Sequence, residues 1–148
     1  MLIRPENIQI MERVGDWKDA IRIASKPLID GGYIEPRYVD AIFKSTEKFG
    51  PYYVLAPEIA MPHASSEDGV NEKQISLLVL KNSIKFSEDG YDVRLIFVLA
   101  TPDSHSHLQM LRDLSEVFSD EDKIQAIIDM KDVHGVSTLL NNFERKGD

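Results

Sequence analysis

The sequence predicts an α/β domain in which helices cover both faces of a β-sheet. Two runs rich in valine, isoleucine and leucine, at 75–80 and 93–100, are nearly continuously apolar, which is typical of strands buried on both faces. Apolar residues at helical spacing precede and follow these runs. Because 148 residues can bury one core and no repeat or long linker divides them, we expect a single domain spanning residues 1–148.

Two helices are predicted before the first strand. Asp16 is a suitable N-cap for a first helix that ends at Asp30-Gly31-Gly32. Because Pro27 lacks a backbone donor, we expect the last turn to be kinked or the helix to end early. A second helix follows Pro36 and ends before Gly50-Pro51.

Three short strands and a helical C-terminal third complete the predicted order. The strand-like runs are 52–55, 75–80 and 93–100. From His105 onward, apolar residues recur at helical spacing. The change of period from helix to strand and back again supports a layered domain.

Composition excludes several classes of function. The 17 basic and 25 acidic residues give a net charge of -8 without a basic cluster, which argues against nucleic-acid binding. The absence of cysteine excludes disulfides, cysteine metal sites and thiol nucleophiles. No apolar stretch approaches the roughly 18 residues of a membrane span. We therefore expect a cytoplasmic protein that does not insert directly into a membrane.

Three of the four histidines fall in two segments that look like loops or element ends. His63 follows Pro62 in a predicted loop between two strands, where functional residues are common. His105 and His107 lie where the third predicted strand ends and a helix begins. His107 is in helical register with Leu111, so we expect it to face the sheet edge and His105 to face elsewhere, toward solvent.

These histidines permit three chemistries. His63, His105, His107 and Asp103 could form a metal site, although no HExxH motif accompanies them. A serine hydrolase is a second possibility, but the nucleophile motif G-x-S-x-G is absent. In the third, a neutral imidazole nitrogen carries a covalent group such as a phosphoryl group, which a second histidine and backbone amides stabilise.

The segment around His63 resembles a known family. It contains the run Gly50-Pro51-Tyr52-Tyr53-Val54-Leu55-Ala56-Pro57-Glu58-Ile59-Ala60-Met61-Pro62-His63-Ala64, followed by Asp68-Gly69-Val70. This run is similar to the active-site sequences of the IIA components of the bacterial phosphotransferase system, in the mannitol–fructose (type 2) superfamily. The similarity also includes Tyr38-Val39 before this run and Ser104-x-Ser106-His107-Leu108 after it. It is closest to the ascorbate-specific branch. The resemblance covers nearly the whole chain and implies a mixed β-sheet between helices.

The resemblance also implies a function. A cytoplasmic phosphocarrier of this family, a phosphotransferase, accepts a phosphoryl group from phospho-HPr on the histidine that His63 matches. It then passes the group to a cysteine of a IIB component, which serves the IIC permease in sugar uptake. His107 matches the histidine that assists the transfer, and His105, Ser65 and Ser106 are candidates for supporting contacts. No cofactor or metal is implied.

One position departs from the mannitol and fructose members, which carry an active-site arginine on the second helix. Between Tyr38 and His63 the only basic residues here are Lys44 and Lys48. Loss of a bidentate guanidinium changes how phosphate is held. We place the chain in the ascorbate-like branch because the flanking segment Pro51-Tyr52-Tyr53-Val54-Leu55-Ala56-Pro57 resembles that branch.

The alternatives to a sugar phosphocarrier are a regulatory module that reports sugar supply through its own phosphorylation, and a histidine-based metal-binding protein. For a phosphocarrier we also expect a shallow, partly apolar docking surface near His63. Ile59, Met61 and Leu108 are close enough in sequence to contribute to it. The alternative is that these residues belong to the core, especially Ile59 and Leu108.

Overall fold

The computed structural model describes the backbone of residues 3–146 and the side chains of residues 3–142. Its strands and α-helices follow one another along the chain as β1 (Ile8–Met11), α1 (Trp17–Asp30), α2 (Pro36–Phe49), β2 (Glu58–Ala60), β3 (Gln74–Lys85), β4 (Asp92–Ala100), α3 (Ser104–Phe118), α4 (Glu121–Asp129) and α5 (Val133–Lys146). The predicted α/β class and the helical C-terminal third are confirmed.

The four strands form one mixed sheet in the order β1-β3-β4-β2. β1 is parallel to β3 and β2 is parallel to β4, whereas the two central strands β3 and β4 are antiparallel. The two apolar runs that predicted buried strands are the cores of β3 and β4, and their side chains are buried. A mixed sheet between helices was the fold that the resemblance implied.

Helices cover both faces of the sheet. Ser76 of β3 donates a hydrogen bond of 2.6 Å to the carbonyl oxygen of Ala24 in α1. Phe97 of β4 lies opposite Leu77, one residue along from Ser76, and packs against Phe118 of α3 with ring centres 5.6 Å apart. Since consecutive residues of a strand point to opposite faces, α1 and α3 lie on opposite sides of the sheet.

The first predicted strand, 52–55, is not a strand. Residues 52 and 53 form a turn, and the amide of Val54 donates to the carbonyl oxygen of Pro51. The apolar character of this run reflects the burial of the Tyr53 side chain in the core. The segment does not join the sheet. The strand that pairs is β2, which begins at Glu58, and β1 was not predicted because its four residues are too few to show a period.

Helix α1 continues through Pro27 to Asp30, so it does not end early. A proline at position 27 cannot donate to the carbonyl oxygen of Ile23, four residues before it. The side-chain amide of Gln9, which lies on β1, donates to this oxygen over 2.6 Å. A partner distant in the sequence therefore replaces the helical hydrogen bond that the proline removes.

Strand β2 begins with a strained residue. Glu58 has a φ of 75°, a conformation that no other described non-glycine residue adopts, and the pairing of β2 with β4 shifts register between Glu58 and Ile59. The Glu58 carboxylate is paired with the guanidinium of Arg94 on β4. This ion pair and the β2–β4 ladder hold the start of the segment that leads to His63.

The topology brings the two histidine segments together. β2 and β4 are parallel neighbours, so their carboxyl ends lie at the same edge of the sheet. His63 follows the end of β2, and α3 with His107 follows the end of β4. In the described part of the chain, no helix is both long and apolar enough to cross a membrane.

Candidate active site

His63 lies in an extended segment between β2 and β3 that is attached to its surroundings on both sides. The amide of Leu99, on β4, donates to the carbonyl oxygen of Pro62 over 3.1 Å. The amide of Ala64 donates to the hydroxyl of Tyr38, on α2, over 3.0 Å. The histidine is half-buried, and the residues on either side of it each have a defined hydrogen-bond partner.

The backbone determines which nitrogen of His63 is free. Nδ1 lies 2.8 Å from the carbonyl oxygen of Met61. Because a carbonyl oxygen can only accept, the proton of the neutral ring is on Nδ1 in this hydrogen bond. The lone pair of Nε2 is therefore available, and Nε2 is the potential nucleophile.

His107 is the nearest imidazole to His63. It lies in the first turn of α3, which begins after the N-cap Asp103, whose carboxylate accepts a hydrogen bond of 2.7 Å from the amide of Ser106. The ring centres of His63 and His107 are 4.7 Å apart, with their planes inclined by 51°. Nδ1 of His107 lies 3.4 Å from the hydroxyl oxygen of Thr101.

The pKa values of His107 and Asp103, both at this edge, are lowered. Burial, and secondarily the proximity of His63, lower the pKa of His107, which favours its neutral form. Hydrogen bonds from Ser106 lower the pKa of Asp103, which keeps the helix cap ionised. The site thus combines a neutral histidine with a negatively charged cap.

The two histidines open into a cavity of about 580 Å³. Two carboxylates, those of Asp68 and Asp103, contribute to its wall, and Ser45 of α2 lines it from the helix side. None of the described residues that line the cavity is a lysine or an arginine. An incoming phosphoryl group would therefore meet imidazoles, hydroxyls and two carboxylates, and no lysine or arginine of the described lining residues.

Of the three residues that the sequence suggested as supporting contacts, Ser65, Ser106 and His105, only Ser65 lines the cavity. Ser65 lines the cavity and caps the short 3-10 helix Ser66–Asp68. Ser106 does not line it, and its amide instead binds the Asp103 cap. His105 is exposed, as expected, and does not line the cavity.

Two tyrosines at the site were not identified from the sequence as functional residues. The hydroxyl of Tyr52 donates to the carbonyl oxygen of His63 over 2.5 Å, and its ring stands edge-on to the imidazole at 5.4 Å. Tyr38 contacts both histidine-bearing segments through its hydroxyl. Tyr52 lies in the resembling run that begins at Gly50. Tyr38 lies both in a further part of the resemblance and on the apolar face of the second predicted helix.

The metal interpretation lacks a ligand set in the described residues. No three histidine, aspartate or glutamate side chains among them converge closely enough to hold an ion. His105, one of the four proposed ligands, is exposed on α3 and lies outside the cavity that His63 and His107 share.

Of the three apolar residues expected at a docking surface, only Leu108 is available. Ile59 and Met61 are buried in the core. The expected contribution of Met61 to a docking surface is therefore wrong, and for Ile59 the alternative of a core position is confirmed. Both residues are buried because β2 and the residue after it pack beneath the site. Leu108 lines the cavity and is 63% exposed.

Comparison with known proteins identifies the family. Residues 1–143 match the sequence model of the family described as "Phosphoenolpyruvate-dependent sugar phosphotransferase system, EIIA 2". The chain belongs to this family. Its EIIA relatives include the ascorbate-specific EIIA component of Escherichia coli K12, which is 32% identical over 128 residues, or 85% of this chain and 83% of the relative. They also include the mannitol-specific cryptic enzyme IIA component of the same strain, which is 34% identical over 125 residues, or 84% of this chain and 85% of the relative.

A solved EIIA structure has the same fold. The complex of the mannitol enzyme IIA with phosphorylated enzyme IIB from Escherichia coli contains a chain that superimposes with a TM-score of 0.81 and 28% sequence identity. The match covers 95% of this chain and 97% of that one. The phosphotransferase system thus supplies the class of function, and phosphoryl transfer is the chemistry of that class.

Proposed function

We propose that this EIIA component is a phosphocarrier that accepts a phosphoryl group from phospho-HPr on Nε2 of His63 and passes it to a cysteine of a IIB component. The observation that carries the proposal is the geometry of His63. Its Nδ1 is engaged by the Met61 carbonyl, and its ring lies 4.7 Å from that of His107 in a cavity.

In the first step, the lone pair of Nε2 attacks the phosphorus atom carried by phospho-HPr. A bond forms between Nε2 and phosphorus while the donor's bond to phosphorus breaks, and that electron pair returns to the donor. The proton on Nδ1 remains in its hydrogen bond to Met61, so the ring keeps its orientation. Catalysis here consists mainly of positioning and charge stabilisation.

His107 stabilises the transferred group. Its lowered pKa keeps the ring neutral. When its Nδ1 accepts a hydrogen bond from the Thr101 hydroxyl, the proton of the neutral ring is on Nε2, where it can be donated in a hydrogen bond to a phosphoryl oxygen. A neutral donor suits a reversible carrier, because it stabilises the phosphoryl group without binding it as strongly as a fixed cation would.

In the second step, a thiolate of IIB attacks the phosphorus. The new bond is between sulfur and phosphorus, and the electron pair of the broken bond returns to Nε2 of His63, which regenerates the neutral ring. The cysteine must come from the partner because this chain has none. A complex between a structurally similar IIA chain and phosphorylated IIB supports this choice of partner.

We assign an ascorbate-like sugar to the system, with uptake through a IIC permease and the phosphocarrier in the cytoplasm. Support for the sugar comes from the relatives named ascorbate-specific and from the absence of an arginine between Tyr38 and His63. Ser45 of α2 lines the cavity instead. A relative named for mannitol has similar identity, so growth on each sugar after deletion of the gene is the discriminating test.

The direct experiment is incubation with phospho-HPr carrying labelled phosphate. We expect wild-type protein to acquire an acid-labile, base-stable label, and His63→Ala to acquire none. His134→Ala is the matched control, because His134 is exposed on α5 and lies outside the cavity. Equal labelling of His63→Ala and His134→Ala would show that the phosphoryl group resides elsewhere.

A further inference from the structure

Tyr38 is almost completely buried, with 1% of its surface exposed, and its hydroxyl both donates and accepts a hydrogen bond. It donates to the carbonyl oxygen of Leu99 over 2.6 Å and accepts from the amide of Ala64 over 3.0 Å. Leu99 belongs to β4 and Ala64 follows His63. A single oxygen of α2 therefore joins the two segments that carry the active-site histidines.

These hydrogen bonds form a closed network around His63. The amide of Leu99 donates to the carbonyl oxygen of Pro62, on one side of the histidine. The carbonyl oxygen of Leu99 is joined through the Tyr38 hydroxyl to the amide of Ala64, on the other side. His63 is thus the middle residue of a segment attached at both neighbours to one residue of β4.

Leu99 is also close in sequence to a residue that contacts the second histidine, His107. Thr101, two residues after Leu99, lies 3.4 Å from Nδ1 of His107 through its hydroxyl. Any displacement of residues 62–64 relative to Leu99 would therefore change the separation between the two imidazoles. The hydroxyl of Tyr38 is the part of this network that a side chain supplies.

The position of Tyr38 is itself well defined. The amide of Glu35, just before α2, donates to the carbonyl oxygen of Gly69 over 2.9 Å, and the Arg37 guanidinium donates to that of Glu67 over 3.0 Å. The first turn of α2 is thereby attached to the chain that follows His63. Burial raises the pKa of Tyr38 to about 12, so its hydroxyl keeps its proton throughout the physiological range.

We propose that Tyr38 is a positioning residue for phosphoryl transfer, and that its hydroxyl sets the placement of His63 relative to His107. This inference rests on the proposed function for its kinetic consequence. Its geometric part, the mutual placement of the two imidazoles, can be tested without any phosphoryl donor. Misplacement of reacting groups by about 1 Å costs on the order of 100-fold in rate, so a positioning hydroxyl is expected to act on rate more than on substrate binding.

The test compares Tyr38→Phe with Tyr53→Phe. Tyr53 is a second tyrosine that is 1% exposed, and its hydroxyl is hydrogen-bonded at 2.8 Å to Thr46 rather than to either histidine segment. Phenylalanine keeps the ring contacts in both variants and removes one buried hydroxyl. We expect Tyr38→Phe to lower the maximal rate of phosphorylation by about 10-fold to 100-fold, with little change in the phospho-HPr concentration at half-maximal rate. Tyr53→Phe should stay within about twofold of wild type.

The imidazole resonances give the second measurement. In NMR spectra we expect the ring signals of both His63 and His107 to shift in Tyr38→Phe and to remain in place in Tyr53→Phe. If no variant accepts phosphate but this difference in spectra is found, the proposed function fails while the positioning role stands. Rates and ring signals that change equally in the two variants would overturn the positioning role.

Should Tyr38→Phe not fold, wild-type protein supplies the test through hydrogen exchange. The amide of Ala64 should exchange as slowly as the amides of β4, because it is bonded to a buried hydroxyl. Exchange at the rate of an unprotected loop amide would overturn the inference.

Discussion

Nδ1 of His63 lies 2.8 Å from the carbonyl oxygen of Met61, two residues earlier in the chain. This contact selects one tautomer of the ring, because the acceptor has no proton to share. The chemically important consequence is that the two nitrogens of one histidine are not equivalent. The first prediction concerns the nitrogen that carries phosphate.

We expect the phosphoryl group on Nε2 of His63. Phosphorus–nitrogen couplings in NMR spectra of protein labelled with ¹⁵N and phosphorylated by phospho-HPr distinguish the two sites. Before phosphorylation, the same spectra should show the proton on Nδ1. Coupling of phosphorus to Nδ1 would mean that the Met61 hydrogen bond breaks in the phosphorylated protein.

The second prediction concerns the titration of His107. Burial is the larger cause of its lowered pKa and His63 is the smaller one. In His63→Ala the pKa of His107 should therefore rise yet remain below the ordinary value of about 6.5. An NMR titration of the two proteins measures this difference, and an unchanged pKa of His107 would show that the two rings do not interact.

The same shift makes stability depend on pH. With a lowered pKa in the folded state, the unfolded chain binds more protons over the interval between the folded pKa and about 6.5. The contribution of neutral His107 to stability is complete above about pH 6.5 and is lost as pH falls through the folded pKa. Denaturant unfolding of wild type and His107→Gln across this interval should show a larger loss of stability with falling pH in wild type than in the variant. Equal losses would show that His107 does not contribute.

The third prediction concerns Leu108, a large apolar side chain exposed at the cavity. If phospho-HPr covers it, Leu108→Ser should raise the phospho-HPr concentration at half-maximal rate by roughly fivefold, which corresponds to about 1 kcal/mol. Leu55→Ser is the matched control, since Leu55 is also exposed but does not line the cavity. Equal effects of the two substitutions would place the docking surface elsewhere.

The fourth prediction tests how α1 accommodates Pro27. Gln9→Leu removes the donor to the carbonyl oxygen of Ile23, and a polar group left without a partner costs about 1–3 kcal/mol. Pro27→Ala restores a backbone amide that can bond the same oxygen. We therefore expect Gln9→Leu to cost less in the Pro27→Ala background.

Denaturant unfolding of the two single variants and the double variant measures this coupling. Additive effects on the free energy of unfolding would show that Gln9 does not replace the missing helical hydrogen bond.

The helices and central strands were predictable because their signals are local. Asp16 does cap α1, Pro36 does begin α2, and the apolar runs at 75–80 and 93–100 are buried strands. The run at 52–55 misled because a buried tyrosine in a turn has the same composition as a strand. The hydrophobic period and the composition of a segment indicate whether its side chains are buried. They do not indicate whether its backbone hydrogen-bonds to a neighbouring strand.

The sequence by itself determined the chemistry available to this protein: no thiol, two histidine segments and a family motif around His63. Only the tertiary structure decided how these groups act together. The parallel pairing of β2 with β4 brings the histidines to one edge, and the Tyr38 hydroxyl reaches Leu99 across 61 positions of sequence. Such contacts depend on chain topology, because local propensity carries no information about which distant segments will meet.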